Sequence, residues 1–287
     1  MNTTIMPNKP IRAVLTITAF IFGVASAITG AEPAVTKLAD LPPAAQKTIH
    51  AQVGAAKLEG ITKSVDGGEV TYDVEITAHG KTRSFSIDQE GELLATQVFL
   101  NETPVAVQKA IRAHVGRGKI DDISKASEDG VVTYQVEMTK AGKSRSFTLA
   151  EDGKLLEMQL FLAETPAHVR QAIQKEARNG VCAGIYKTVE DGEVNYDVEI
   201  TRNGKLLSLT FDSKGAVVYQ AEPIQISDAP EPVRATLRAQ LSNAKLVTVE
   251  KTVEDGELTY EAEFIKAGKR QSLSIKPDGQ ILPPDKE

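Results

Sequence analysis

The sequence predicts an α+β protein made of four tandem modules, each with one helix packed on an antiparallel meander of about four strands. Three observations predict this fold. Residue types recur along the chain at spacings of 62, 62 and 64 residues. Apolar residues at helical spacing open each period. The rest of each period consists of segments in which apolar and polar residues alternate, and glycine turns separate these segments.

The repeat is most evident at tyrosine, glutamate, glycine and proline positions. Because several residue types share the same spacings, we interpret them as copies of one supersecondary unit. The predicted repeats span residues 38–100, 101–162, 163–224 and 225–284, and the last has a short or missing final strand. The recurring residues are Tyr72, Tyr134, Tyr196 and Tyr260; Glu75, Glu137, Glu199 and Glu263; Gly68, Gly130, Gly192 and Gly256; Gly80, Gly142, Gly204 and Gly268; Gly91, Gly153, Gly215 and Gly279; and Pro42, Pro104, Pro166 and Pro230.

Residues 1–31 have the features of a signal peptide. Lys9 and Arg12 precede an apolar run over residues 13–27, and residues 25–27 (Ala-Ser-Ala) or 29–31 (Thr-Gly-Ala) offer a small-residue cleavage pattern. The run is shorter than the roughly 20 residues that span a bilayer, although an uncleaved anchor is the alternative. We expect a periplasmic or secreted protein with no membrane span after cleavage.

Composition narrows the function classes. The formal net charge of −6 argues against nucleic acid, whose binders cluster Lys and Arg against phosphate. Aromatic residues make up 5% of the chain and Trp is absent, which disfavours a base- or sugar-stacking site. The one cysteine cannot form a disulfide within the chain.

Each predicted helix has one mainly apolar face. In the second repeat Thr103 is the expected N-cap, Pro104 fits the first turn, and Val107, Ile111 and Val115 follow at helical spacing. Turns at Asp-Gly, Ala-Gly and Asn-Gly pairs then separate the strands. Alternation directs Tyr72 and Val74 toward the helix and Glu75 away from it.

The side of the sheet away from the helices is predicted to be open, acidic and rich in hydroxyls. It carries the repeated glutamates and two series of hydroxyl residues. The predicted partner-binding residues are Glu75, Glu137, Glu199, Glu263, Ser84, Ser146, Ser208 and Ser272, with Ser86, Thr148, Thr210 and Ser274 beside them. A row of carboxylates could receive a basic partner or a cation, and a solvated strand face is the plainer interpretation.

The order of these elements resembles that of PepSY-like domains, whose fold is related to the beta-lactamase inhibitor protein. The resemblance rests on residues 72–75 (Tyr-Asp-Val-Glu), 80–81 (Gly-Lys) and 88–91 (Asp-Gln-Glu-Gly) and covers roughly residues 38–284. It implies tandem modules whose sheets form one concave surface, location outside the cytoplasm, and protease or enzyme inhibition. The fourth repeat departs from the pattern because Ala262 stands at the position of Val74.

The residues with catalytic potential do not recur at the repeat spacing. None of His50, His79, His114 and His168 has a histidine at an equivalent position, so we interpret them as surface residues and not as metal ligands. Cys182 stands at an apolar strand position and is expected to pack as a small hydrophobe. The repeated tyrosines are expected in the core.

The lysines after the second turn, Lys81, Lys143, Lys205 and Lys269, are expected to pair with acids or to protect a strand edge. No phosphate loop, nucleophile elbow or CxxC motif is present.

These features predict a non-catalytic protein, with no cofactor and no metal site. The leading hypothesis is an exported protein whose exposed sheet faces bind a protein partner, such as an envelope or secreted enzyme, or inhibit an enzyme or protease. The alternative is a cation-binding or buffering protein of the cell envelope that uses the same carboxylates.

Overall fold

A computed structural model describes residues 34–66, 69–128, 130–266 and 269–283. The expected signal peptide lies outside these residues. The described chain contains four α-helices and one antiparallel sheet of sixteen strands. The helices are α1 (Pro43–Val53), α2 (Val105–Val115), α3 (Ala167–Glu176) and α4 (Glu231–Gln240). No helix among the described residues is long and apolar enough to cross a membrane.

The strands follow one another in the sheet in the order of the sequence. They are β1 (Ala34–Val35), β2 (Lys57–Asp66), β3 (Glu69–Ala78), β4 (Lys81–Asp88), β5 (Leu93–Gln97), β6 (Lys119–Glu128), β7 (Val131–Lys140), β8 (Lys143–Ala150), β9 (Leu155–Gln159), β10 (Val181–Glu190), β11 (Glu193–Arg202), β12 (Lys205–Asp212), β13 (Val217–Pro223), β14 (Lys245–Glu254), β15 (Glu257–Lys266) and β16 (Lys269–Ile275). After β16 a single bridge joins Ile275 to Ile281. The predicted α+β class is confirmed, and strands of successive repeats pair directly, as β5 does with β6.

Each helix packs on the sheet through the apolar residues that the sequence predicts. In the second repeat Val107, Ile111 and Val115 of α2 are buried against Val136 of β7 and Phe147 of β8. Four such clusters occur among the described residues, one under each helix. Burial of these aliphatic side chains, worth about 1.5–3 kcal/mol each, holds the helices on one side of the sheet.

The helix starts differ from the prediction by one residue. Pro104, not Thr103, is the N-cap of α2, and α2 begins at Val105. The Thr103 hydroxyl instead donates to the Leu100 carbonyl in the 3-10 turn (Leu100–Glu102) before the helix, with 2.9 Å between the oxygens. The reason is that Pro104 itself has extended backbone, with φ −54° and ψ 150°, so the first helical residue is the one after it.

The last turn of a repeat touches its helix closely. Gly153, between β8 and β9, has a φ of +84°, and a Cβ at this position would lie 2.8 Å from the carbonyl oxygen of Ala106. Glycine is therefore needed here for two reasons, the backbone conformation and the close approach of α2.

Candidate functional site

The side of the sheet opposite the helices, called the helix-free face below, carries the predicted binding residues. Strand register pairs each repeated glutamate with the repeated serine of the next strand. The four pairs are Glu75–Ser84, Glu137–Ser146, Glu199–Ser208 and Glu263–Ser272. Alternation along the strands places them opposite the buried Tyr72, Tyr134, Tyr196 and Tyr260, which lie in the core as predicted.

The four glutamates do not converge on one point. Glu75 lies in β3 and Glu137 in β7, four strands further along the sheet. At the usual strand spacing this separates them by about 19 Å. The helix-free face is therefore an extended surface on which each glutamate has its own surroundings.

Those surroundings place other carboxylates close to the repeated ones. Glu137 pairs across the strands with Asp122, and the pKa of Glu137 is raised by burial and then by the negative charges of Asp122 and Asp121. Burial raises the pKa of Glu250 in β14, with a further contribution from Glu263. Negative charge thus accumulates on this face beyond the repeat positions.

Glu157 in β9 is the most perturbed carboxyl of the face. Burial, followed by the charge of Asp197, raises its pKa to about 6. Glu157 pairs with Thr148 of β8 on one side and with Thr188 of β10 on the other. The sequence reasoning missed Glu157 because its equivalents, Ala95 and Tyr219, are not acidic.

The second hydroxyl series points away from the helices as predicted but is not exposed. Ser86, Thr148 and Thr210 retain 0%, 1% and 6% of their accessible surface. Ser86 donates to Asp73 over 2.5 Å and Thr210 donates to Asp197 over 2.6 Å. The expectation of open hydroxyls is wrong at these positions, because each of these small side chains is flanked on both sides by residues of adjacent strands.

Two tyrosines on the helix-free face were also not predicted from the sequence. Tyr186 pairs with Asp197, and Tyr219 pairs with Thr210. Burial, followed by neighbouring glutamates, raises the pKa of both phenols. A Cβ on Gly184 would meet the Tyr186 ring at 2.7 Å, so this ring lies along its own strand. For Tyr186 the available signal was its alternation with the buried Ile185, whereas a bulge between Val217 and Tyr219 interrupts the alternation before Tyr219.

The lysines after the second turn contact aromatic rings in addition to the acids that the sequence predicts. Lys81 and Lys143 lie over the rings of Phe99 and Phe161, with the Nζ atoms 4.6 Å from each ring centre. The next basic residue, Arg83 or Arg145, lies over the same ring and pairs with Glu102 or Glu164. Lys81 and Lys143 also contribute to lowering the pKa of Glu102 and Glu164, and Lys205 lies 4.0 Å from Glu222. The side chain of Lys269 lies outside the described residues.

The described histidines and the cysteine do not form a cluster with one another. His50, His79 and His168 are exposed, whereas His114 is half-buried 5.2 Å from the Phe147 ring, and burial lowers its pKa. Cys182 packs against the third core cluster, and burial raises the pKa of its thiol. Across the described ranges no three His, Cys, Asp or Glu residues are grouped so that they could hold a metal ion.

Four helices packed on one side of a continuous antiparallel sheet define an α+β protein with a helix-backed sheet. The chain belongs to the family described as "Putative beta-lactamase-inhibitor-like, PepSY-like", whose model matches residues 71–157 and 194–282, more than half of the chain. No curated protein matches the sequence.

Several solved structures are similar to parts of the chain. A BLIP-like protein of Bacteroides fragilis is 16% identical with a TM-score of 0.35, over 41% of this chain and 83% of that one. A DUF2874 family protein of Bacteroides ovatus is 15% identical with a TM-score of 0.36, over 41% and 84%. A Bacteroides eggerthii structure, described as one of "putative periplasmic proteins", is 17% identical with a TM-score of 0.36, over 42% and 86%.

Proposed function

We propose that this chain is an exported, non-catalytic binding protein of four tandem helix-and-sheet modules. Its helix-free face receives a basic surface of a protein partner in the periplasm or outside the cell. The observation that carries this proposal is the crowding of carboxyl groups on that face. Burial and neighbouring negative charges raise the pKa of Glu137, Glu157 and Glu250, so each of these groups is more stable beside a cation.

The placement of the positive charges on this face also supports a basic partner. Lys57 and Lys119 stand at strand ends, and each is already paired with an acid of its own strand, Glu59 or Asp121, at 2.7 Å. The charges that raise the pKa of Glu137, Glu157 and Glu250 are those of other carboxylates and not of these lysines. Complementary charge of this kind accelerates encounter and selects the partner.

The partner is proposed to be an envelope or secreted enzyme, which binding would inhibit by covering its surface. The test is capture from a native envelope extract with the wild-type chain and with a variant in which Glu75, Glu137, Glu199 and Glu263 are changed to Lys. We expect the variant to lose the proteins that the wild type retains. Equal capture by both chains would contradict the assignment of this face.

A calcium titration distinguishes protein binding from cation binding. Calcium at millimolar concentration is titrated into the wild-type chain by calorimetry. We expect no heat beyond dilution and no effect on partner capture. Stoichiometric calcium binding that is lost in the four-lysine variant would favour a cation-binding role for the same carboxylates.

A further inference from the structure

The first two junctions between successive repeats share one arrangement of side chains. Between the first and second repeats, Lys81 and Arg83 both lie over the ring of Phe99, 4.6 Å and 4.5 Å from its centre. Arg83 also pairs with Glu102 at 2.5 Å. The second junction repeats these contacts with Lys143, Arg145, Phe161 and Glu164. At both junctions a Phe-x-x-Glu segment thus covers a cationic surface of the preceding repeat.

The third junction keeps the lysine of this arrangement, Lys205, and replaces the other members. Leu207 stands at the arginine position. The aromatic position is marked by the residue before it, which donates its backbone N–H to the first long strand of the next repeat. At the third junction that residue is Ile224, so Gln225 stands where the first two junctions have phenylalanine. Asp228 stands at the glutamate position.

Two extra residues in β13 also displace this segment along the sheet. In the second repeat the phenylalanine comes three positions after the β9 residue that pairs with Phe147. In the third repeat Gln225 comes five positions after the β13 residue that pairs with Leu209, the counterpart of Phe147. Two residues of extended strand span about 7 Å, so the segment after β13 begins further from Lys205 than its counterparts do from their lysines.

A pocket of about 250 Å³ opens beside Lys205. An apolar cavity of about 150 Å³ holds benzene, so this space is large enough for one phenyl ring. Leu207, which is 9% exposed and belongs to the third core cluster, offers an apolar wall, whereas the Lys205 side chain is 53% exposed. Alternation with the core places the pocket on the helix side of the sheet. It is lined by Arg202, Asn203, Lys205, Leu207, Gln220 and Glu222.

We propose that this pocket binds an aromatic side chain of a protein partner, presented in a Phe-x-x-Glu segment like those that cover the first two junctions. The ring lies against Leu207 with the Lys205 ammonium over its face. Arg202, the cross-strand pair of Lys205, supplies the guanidinium for the carboxylate of the segment, in place of the arginine that Leu207 replaces. The inference goes beyond the proposed function, because it uses no residue of the helix-free face.

The charges around the pocket favour an acidic segment over a basic one. Arg202 and Lys205 supply two positive charges, and Glu222, 4.0 Å from Lys205, supplies one negative charge. A carboxylate three positions after the ring is therefore attracted by a net positive charge, whereas a lysine there would be repelled. The same pairing of a ring with an acid occurs twice within the chain itself.

The test uses a peptide with the sequence of residues 98–103, acetyl-Val-Phe-Leu-Asn-Glu-Thr-amide, added to the full chain. Two further peptides change its Phe to Ala or its Glu to Gln. Titration followed by methyl NMR reports both the affinity and the place of binding, because a bound ring shifts the Leu207 methyl signals. The test variant is Lys205→Met, which keeps an apolar stem. The matched control is Lys143→Met, at the equivalent lysine whose ring position Phe161 already fills.

We expect the peptide to bind with a Kd of about 1 mM or below and to shift the Leu207 methyl signals. The Ala peptide should bind about tenfold more weakly or worse, because it lacks the buried ring. The Gln peptide should bind about two- to fivefold more weakly. Lys205→Met should weaken binding of the original peptide about two- to fivefold, and Lys143→Met should leave it unchanged.

Three results would overturn the pocket assignment. They are equal binding of the Phe and Ala peptides, equal losses for Lys205→Met and Lys143→Met, and Leu207 methyl signals that stay in place at millimolar peptide. The four-lysine variant of the helix-free face should bind the peptide as the wild type does. Failure of the peptide test therefore leaves recognition through the helix-free face standing, and failure of partner capture by that face leaves the pocket standing.

Discussion

Thr210 donates its hydroxyl hydrogen to Asp197, with 2.6 Å between Oγ1 and Oδ1. The same pair occurs two repeats earlier as Ser86 and Asp73. Between them lies Thr148, whose hydroxyl has no partner because Gln135 replaces the aspartate. The second repeat thus has an unfilled polar position, and this difference has measurable consequences for stability.

The first prediction concerns Thr148. Changing Thr148 to Val removes a buried hydroxyl without a partner and keeps the shape of the side chain, so the free energy of unfolding should rise by about 1 kcal/mol. The matched change Thr210→Val removes a hydroxyl that is bonded to Asp197, and should lower it by about 1–2 kcal/mol. Urea unfolding of both variants checks the two signs, and destabilisation by Thr148→Val would contradict an orphan hydroxyl.

The second prediction concerns the pH dependence of Glu157. Folding raises the pKa of this carboxyl to about 6, so its ionisation opposes folding at higher pH and is relieved as the pH falls through that value. Glu157→Gln should therefore stabilise the protein by roughly 2 kcal/mol at pH 8 and by little at pH 4.5. Unfolding curves across this range test it.

The control for that series is Glu92→Gln, at an exposed turn position. Its unfolding free energy should follow the wild type within about 0.5 kcal/mol at every pH. A gain from Glu157→Gln that is independent of pH would indicate a packing effect and not an ionisation effect.

The third prediction concerns the junction between the second and third repeats. Arg145 is 14% exposed at its side chain, pairs with Glu164 at 3.0 Å and lies 4.8 Å from the Phe161 ring centre. Arg145→Ala should lower the unfolding free energy by about 1–2 kcal/mol. The exposed pair of Lys154 and Asp152 provides the control, since Lys154→Ala should cost less than about 0.5 kcal/mol.

The fourth prediction compares two glycines with similar backbone conformations. Gly153 and Gly130 have φ values of +84° and +81°, but only at Gly153 would a Cβ meet backbone, 2.8 Å from the Ala106 oxygen. Gly130→Ala should cost about 1 kcal/mol for the left-handed conformation alone. Gly153→Ala should cost about 2 kcal/mol more, because α2 must shift. Thermal or urea unfolding separates the two, and equal costs would contradict the close helix contact.

The sequence predicts the fold and the faces better than it predicts the contacts on a face. Alternation placed Tyr72 and Val74 in the core and Glu75 opposite them, because side-chain direction along a strand depends only on local spacing. The proximity of Glu157 to Asp197 depends on how β9 of one repeat pairs with β10 of the next. Periodicity within a repeat does not carry that register, so this cluster could not be predicted from the spacing.

Departures from the repeat were equally hard to interpret from the sequence. Tyr186 stands where Ser124 and Glu250 stand in the neighbouring repeats, and Leu207 replaces the Arg145 of the ring contact. Repetition along the sequence marks only the positions that are the same in every copy. The carboxyl whose pKa is raised to about 6, that of Glu157, instead lies at a position that differs between copies.

The most direct test of the account measures partner capture with two charge-reversed chains of equal net charge. One changes Glu75, Glu137, Glu199 and Glu263 on the helix-free face to Lys. The other changes four exposed acids of turns and the first 3-10 turn to Lys, namely Asp40, Glu90, Glu92 and Glu151. We predict that the first chain loses the partner that the wild type captures from the native envelope, and that the second retains it. Equal retention by both chains, or equal loss, would contradict recognition through the helix-free face.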